Sequence, residues 1–268
     1  MFSKRFHWGL STLGCPELTF EAASQLAANY GIEALELRAL ENQIDLLALW
    51  RNHPPPLDVW RSLLAARAQR IVILDTPCGL LGDRDDWETL LEYARWAERL
   101  NVAYLRVFDG GKIGMVLDRE LNVRATAYWE KWLRVRETEG WKADLLIETH
   151  DIFCDSNVAV QWLEQLTKPP GLVWDVHHTW RYGKEDVAVT WSRLKHSIRH
   201  IHVKDSLPAK HPAEFVLPGQ GDVPFEKLFE LLDDANFPHV VSFEWEKWWR
   251  PNIAPLEQCL EACIKRNW

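Results

Sequence analysis

Short apolar runs rich in valine and isoleucine alternate with stretches of helical periodicity along the whole chain. The runs are residues 6–12 (FHWGLST), 33–38 (EALELR), 70–76 (RIVILDT), 102–108 (VAYLRVF), 144–150 (DLLIETH), 171–178 (GLVWDVHH), 198–205 (IRHIHVKD) and 239–246 (HVVSFEWE). Continuous apolar runs of this length suit strands buried on both faces, as a parallel sheet requires. Between them, residues 17–30, 57–68, 86–100, 120–139, 156–167, 185–195, 225–235 and 254–265 are expected to be helical. The first of these stops at Gly31; the stretch from 86 follows the cap residue Asp85 and repeats Trp87, Leu90, Leu91, Ala94 and Ala97 at helical spacing. Eight strand-helix pairs in 268 residues predict an α/β fold, a (β/α)8 TIM barrel forming a single domain over residues 1–268. A doubly wound open sheet is the main rival. It would carry fewer strands and often a glycine-rich phosphate turn after the first, where this chain has STLGCPE. Pro54, Pro55 and Pro56 shape a loop rather than divide domains.

Four of the apolar runs end on side chains that bind metals: Glu148, Asp175, His202 and Glu244, with separations of 27, 27 and 42 residues. One strand-plus-helix unit has about this length, so the spacing gathers three carboxylates and an imidazole at one end of a barrel, around a divalent cation. Residues two apart share a face of a strand. By that parity His150, His177, Lys204 and Glu246 follow the four ligands into the same rim, and Trp174 and Trp245 point away from the barrel axis toward the helices. Ordinary strand ends entering solvent would give any one of these residues alone; the repetition favours a site, because so dense a polar cluster is costly in an apolar core unless a cation relieves it.

Composition narrows the setting. With 47% hydrophobic and 26% charged residues the chain is globular. Its five cysteines are odd in number and form no CxxC pair, so they are expected to be reduced, mostly buried thiols. No signal peptide or membrane span is apparent, and the expected location is cytoplasmic, with no membrane partner. A net charge of -8 opposes general attraction to nucleic acid. Sixteen tryptophans are a heavy load. Trp180, read as part of an exposed loop just beyond Asp175, is the candidate pocket wall or lid, and Trp248 and Trp249 are candidates for a contact in a homo-oligomer.

The segments IETHD, WDVHH, HIHVKDS, PGQGDVPF and SFEWE, in that order, resemble the sugar phosphate isomerase/epimerase family. These are xylose-isomerase-like barrels that include ketose 3-epimerases, hydroxypyruvate isomerase, inosose dehydratase and, more distantly, endonuclease IV. GIEALELR and YLRVFDGG extend the resemblance to earlier strand ends. It implies that Glu148, Asp175, His202 and Glu244 occupy the metal-ligand positions and that His178 contacts substrate. Arg106 and Lys204 fall where members often hold substrate-binding residues.

An oxygen-rich donor set suits Mn²⁺ first, with Mg²⁺, Co²⁺ or Zn²⁺ as alternatives. The chemistry expected is polarisation of a carbonyl in a small sugar or hydroxy-keto substrate, with Glu148 and Glu244 removing and returning an α proton by way of an enediolate. His178, Lys204 and Arg106 would bind substrate oxygens, while His150 and His177 would contact substrate or orient the ligands. Arg106 has an equally good reading as an ion-pair partner of Glu36 or Asp75. PGQGDVPF reads as a turn before a helix. No phosphate loop stands out, which points to an unphosphorylated substrate. The expected activity is isomerase or epimerase in carbohydrate metabolism, with a dehydratase of the inosose dehydratase type as the alternative. Less favoured are a DNA-repair enzyme like endonuclease IV, which would use a three-zinc cluster and a basic surface, and a non-catalytic sugar-binding barrel.

Overall fold

The computed structural model describes residues 1–82, 86–207 and 213–268. Its strands are β1 (His7–Ser11), β2 (Ala34–Leu37), β3 (Arg70–Leu81), β4 (Tyr104–Gly110), β5 (Asp144–Glu148), β6 (Gly171–Asp175), β7 (Ile198–Val203), β8 (Asp205–Leu207), β9 (Glu214–Val216) and β10 (Val240–Phe243). Eight of them close into a barrel in the order β1-β10-β7-β6-β5-β4-β3-β2, and β8 and β9 form a separate antiparallel pair. Where register is defined the barrel pairs are parallel, for example Leu10 beside Phe243 and Arg106 beside Leu146. The (β/α)8 barrel expected from the apolar runs is the fold observed.

The helices are α1 (Phe20–Tyr30), α2 (Leu46–Asn52), α3 (Leu57–Ala66), α4 (Trp87–Leu100), α5 (Arg119–Glu139), α6 (Ser156–Leu163), α7 (Val176–Arg181), α8 (Val187–Leu194), α9 (Phe225–Asp234) and α10 (Leu256–Lys265). Local chemistry sets several boundaries. Thr19 caps α1 by accepting the Ala22 N–H, and Gly31 ends it in the left-handed conformation at φ 77°. Asp118 and Gly140 do the same for α5. The predicted cap Asp85 lies outside the described residues.

The backbone groups into two compact units, Met1–Ile73 with His202–Trp268 and Leu74–Ile201, so the cut falls within the spans of β3 and β7. In the first unit, Trp8 stacks on Phe243 with ring centroids 5.2 Å apart, and Phe229 meets Trp8 edge-on. In the second, Trp174 of β6 stacks on Trp191 of α8, and its indole N–H donates to Thr179 Oγ1 at 2.9 Å. Trp174 thus faces the helical layer, as strand parity predicts. Trp50, Trp132, Trp162, Trp174 and Trp245 are among the largest fully buried side chains. Much of the tryptophan load therefore serves packing, where truncating one such ring costs about 3–5 kcal/mol. All five cysteines are free and buried.

Three expectations need correction. The apolar run 171–178 is strand only to Asp175, because the Asp175 carboxylate accepts the His178 N–H at 2.9 Å and starts α7. Residues after Glu148 leave the sheet when Asp109 takes the backbone N–H groups of Asp151 and Phe153, at 2.8 and 2.6 Å. Helix α2 falls outside the stretches expected to be helical; Asp45 caps it by accepting the Ala48 N–H at 3.0 Å.

PGQGDVPF is a turn before α9, as expected, and its organiser is a buried carboxylate. Asp205 accepts backbone N–H bonds from Ser206, Gly219, Gly221 and Val223 at 2.9, 2.7, 2.9 and 3.3 Å. Both glycines are required. Gly219 sits at φ +80°, and a Cβ on Gly221 would lie 2.2 Å from Asp205 Oδ1.

Candidate metal centre

Each predicted ligand lies where its strand stops. Glu148 and Asp175 are the last residues of β5 and β6, His202 is the penultimate residue of β7, and Glu244 directly follows β10. All four are buried. Asp175 is held at both ends, because its own N–H donates to Thr149 Oγ1 at 3.0 Å while its carboxylate caps α7.

In the unit containing Met1–Ile73 and His202–Trp268, His202 lies between two acids. Its Nε2 is 3.0 Å from Glu36 Oε2, and its Nδ1 is 3.5 Å from Glu244 Oε2. The Lys204 ammonium, fully buried, pairs closely with Glu244 Oε2 and stands 3.2 Å from Glu246 Oε1. Burial holds the Glu246 carboxyl above its ordinary range, with Lys204 opposing the shift.

In the unit Leu74–Ile201, Arg106 Nε lies 3.3 Å from both Asp75 Oδ1 and Glu148 Oε2. Its Nη1 donates to the Thr76 carbonyl at 3.0 Å, and the guanidinium sits 3.9 Å from the Phe108 ring centroid. Of the two ion-pair partners read from the sequence, Asp75 contacts Arg106; Glu36 contacts His202. His178 Nδ1 is 3.5 Å from Asp175 Oδ2, and the His178 ring meets that of His150 edge-on at 4.4 Å. Burial opposes charge on His150, but its hydrogen bond to Asp151 and the charges of Glu148, Asp151 and Asp109 prevail, raising its pKa to about 9.

Each unit thus carries two of the four predicted ligands at its strand ends, Glu148 and Asp175 in one and His202 and Glu244 in the other. Buried carboxylates and an imidazole are donor types that suit a hard divalent cation. His150 and His177 do not follow by strand parity, since His150 lies past the end of β5 and His177 lies on α7. Trp180 is on α7 and half-buried rather than in an exposed loop, with its ring 6.3 Å from that of His177. Trp249 is exposed beside Trp248.

Sequence reasoning gave one strand-end acid the wrong partner and missed another. Glu36, in GIEALELR, contacts His202; Asp109, in YLRVFDGG, organises the turn after β5. The signal for both was a carboxylate inside an apolar run. Burial, with the charge of Asp151 adding to it, lifts the Asp109 carboxyl from 3.8 to about 7, against its backbone hydrogen bonds and the charge of His150. The folded chain therefore holds a proton that the unfolded chain has released. This contribution to stability is full below about pH 4 and is lost as pH rises through about 7, amounting to on the order of 4 kcal/mol. Urea unfolding across that range should show the decline, and Asp109→Asn should flatten it.

A closed barrel of eight strands with buried acids and an imidazole at strand ends is a (β/α)8 barrel. The chain belongs to the xylose isomerase-like TIM barrel family, whose model matches residues 24–263. It is 30% identical over 97 residues to an inosose dehydratase of Clostridium perfringens, a match covering 30% of this chain and 32% of that relative. The chain thus spans about a third of the length of the curated relative it matches. Among solved structures, the probable 3-DHS dehydratase AsbF of Bacillus anthracis superposes with TM-score 0.76 at 18% identity, over 96% of this chain and 97% of that one. The IolI protein with a bound zinc atom gives 0.73 at 16%, over 97% and 95%. D-Allulose 3-epimerase from Methylomonas sp., in complex with D-allulose, gives 0.69 at 16%, over 100% and 99%. These structural likenesses establish the fold. No helix among the described residues is long and apolar enough to cross a membrane.

Proposed function

We propose that residues 1–268 act as one catalytic domain that removes a proton beside a carbonyl in a small sugar or hydroxy-keto substrate and returns it elsewhere, as an isomerase or epimerase. The observation that carries this reading is a pair of buried strand-end ligands in each unit: Glu148 and Asp175 at the ends of the paired strands β5 and β6, and His202 Nδ1 3.5 Å from Glu244 Oε2. These four would hold one divalent ion, Mn²⁺ in preference to Mg²⁺, Co²⁺ or Zn²⁺. When bound, such an ion polarises a carbonyl and stabilises negative charge on its oxygen.

The chain's own residues do the rest. Glu148 and Glu244 remove and return the proton. Arg106 holds Glu148, and Lys204 holds Glu244, so each acid is oriented and its charge balanced in a buried setting. His178 and His150, whose rings adjoin, direct hydrogen bonds to substrate oxygens, with Trp180 on the same short helix as His178 supplying an apolar wall. Lys204, paired with Glu244 and Glu246, would place its positive charge beside a substrate oxygen. Return of the proton to the former carbonyl carbon, with the α-hydroxyl proton passing to the former carbonyl oxygen, isomerises the substrate; return to the opposite face of the α carbon epimerises it.

A second reading is a dehydratase, favoured by the identity with inosose dehydratase. The first proton removal is the same, and the electron pair then expels the β-hydroxyl, which takes a proton from the glutamic acid that received it and leaves as water.

Elemental analysis of the purified protein should give about one divalent ion per chain, and stripping it with a chelator should abolish turnover until Mn²⁺ is restored. The loaded protein is then incubated with ketoses, hydroxy-keto acids and inososes, and products are followed by mass and NMR. Unchanged mass with altered stereochemistry or carbonyl position supports the isomerase or epimerase; loss of one water supports the dehydratase. Absence of both ion and turnover would overturn the proposal.

A further inference from the structure

We infer that Glu36 is a positioning residue that fixes the tautomer of His202, so that Nδ1 is the nitrogen offered to the divalent ion. The inference rests on the metal reading above and assigns a role to a residue outside the four-ligand set. Glu36 lies on β2 and is fully buried, like His202 on β7. An ionised carboxylate can only accept hydrogen bonds, so at 3.0 Å from Glu36 Oε2 the imidazole Nε2 must carry the proton. A neutral ring then leaves its lone pair on Nδ1.

The other side of the ring agrees. Nδ1 stands 3.5 Å from Glu244 Oε2, beyond the range of a normal N–H···O hydrogen bond, so this nitrogen is not donating a proton to that oxygen. A gap of 3.5 Å leaves the two atoms free to face a common cation rather than each other. The spacing that fails as a hydrogen bond fits two ligands of the same cation. Glu36 and Glu244 therefore have different tasks on opposite edges of one ring: the first holds the proton on Nε2, and the second shares the ion with Nδ1.

The test has two readouts besides activity. In the metal-free protein labelled with ¹⁵N-histidine, long-range ¹H–¹⁵N spectra, assigned by comparison with His202→Gln, should show His202 protonated on Nε2 and unprotonated on Nδ1. In titration calorimetry with Mn²⁺ and with Zn²⁺, Glu36→Gln should keep the one-ion stoichiometry and bind roughly 10- to 100-fold more weakly, the usual cost of losing an outer carboxylate partner. A purely structural Glu36 would change the melting temperature of the metal-free protein without this loss of affinity. Protonation on Nδ1 in the wild type, wild-type affinity in Glu36→Gln, or loss of the ion altogether in a folded Glu36→Gln would each overturn the inference; the last would make Glu36 a ligand itself. Should Glu36→Gln not fold, the wild-type tautomer decides. Failure of the wild type to bind any ion counts against the metal reading, and the tautomer measurement still tests Glu36 separately.

Discussion

Glu148→Gln and Glu244→Gln are each expected to reduce turnover by about 10²- to 10⁴-fold, the usual contribution of a positioned acid or base. Substrate affinity should fall much less. Glutamine keeps the size of glutamate, fits beside Arg106 at position 148 and can still accept a hydrogen bond from Lys204 at position 244, but it cannot take up the substrate proton. Both acids are buried and held by a cation, Glu148 by Arg106 Nε at 3.3 Å and Glu244 by the Lys204 ammonium, so neither variant should collapse the local structure. Three quantities separate the outcomes: kcat, substrate affinity by equilibrium titration, and metal content of each variant. Lost turnover with metal and substrate binding retained supports proton transfer by that residue. Lost turnover with lost metal reassigns the residue to ion binding alone. Wild-type activity in both variants would eliminate the proton shuttle.

Asp205→Ala is expected to be strongly destabilising although it lies outside the candidate site. The carboxylate holds four backbone N–H groups, from Ser206, Gly219, Gly221 and Val223, three of which lie across the turn that leads into α9. Removing it strands buried donors at about 1–3 kcal/mol each, less whatever the turn regains by relaxing toward water. A net loss of about 4 kcal/mol corresponds to a fall in Tm of roughly 8–16 °C for a chain of this size. Gly221→Ala should show a loss of the same kind, because its Cβ would meet Asp205 Oδ1 at 2.2 Å and the Ser206 carbonyl at 2.5 Å. Thermal unfolding by circular dichroism measures both. A change of only a degree or two in Asp205→Ala would mean that the carboxylate does not organise this turn.

The barrel and the strand-end positions of the three acids and the imidazole were legible because they depend on local chemistry. Strands buried on both faces must be apolar throughout, and a charged residue ending such a run is conspicuous. Glu148, Asp175, His202 and Glu244 stood out for that reason, and the same logic placed Trp174 against the helices. Parity failed two residues beyond Asp175. His177 belongs to a helix because the Asp175 side chain, a proposed ligand, also caps α7, and periodicity alone does not reveal which strand-end carboxylate will turn the chain.

Sequence by itself thus determined the alternation of strands and helices, the closed parallel architecture and the residue types at the strand ends, since all of these follow from burial and periodicity along one segment. Only the tertiary structure decided the pairings: Arg106 with Asp75 and Glu148, Lys204 with Glu244 and Glu246, Glu36 with His202, and Asp205 with a turn 14 to 18 residues away. A buried charge takes the partner that the fold brings within hydrogen-bonding reach, and that choice depends on side chains from separate strands arriving at one place.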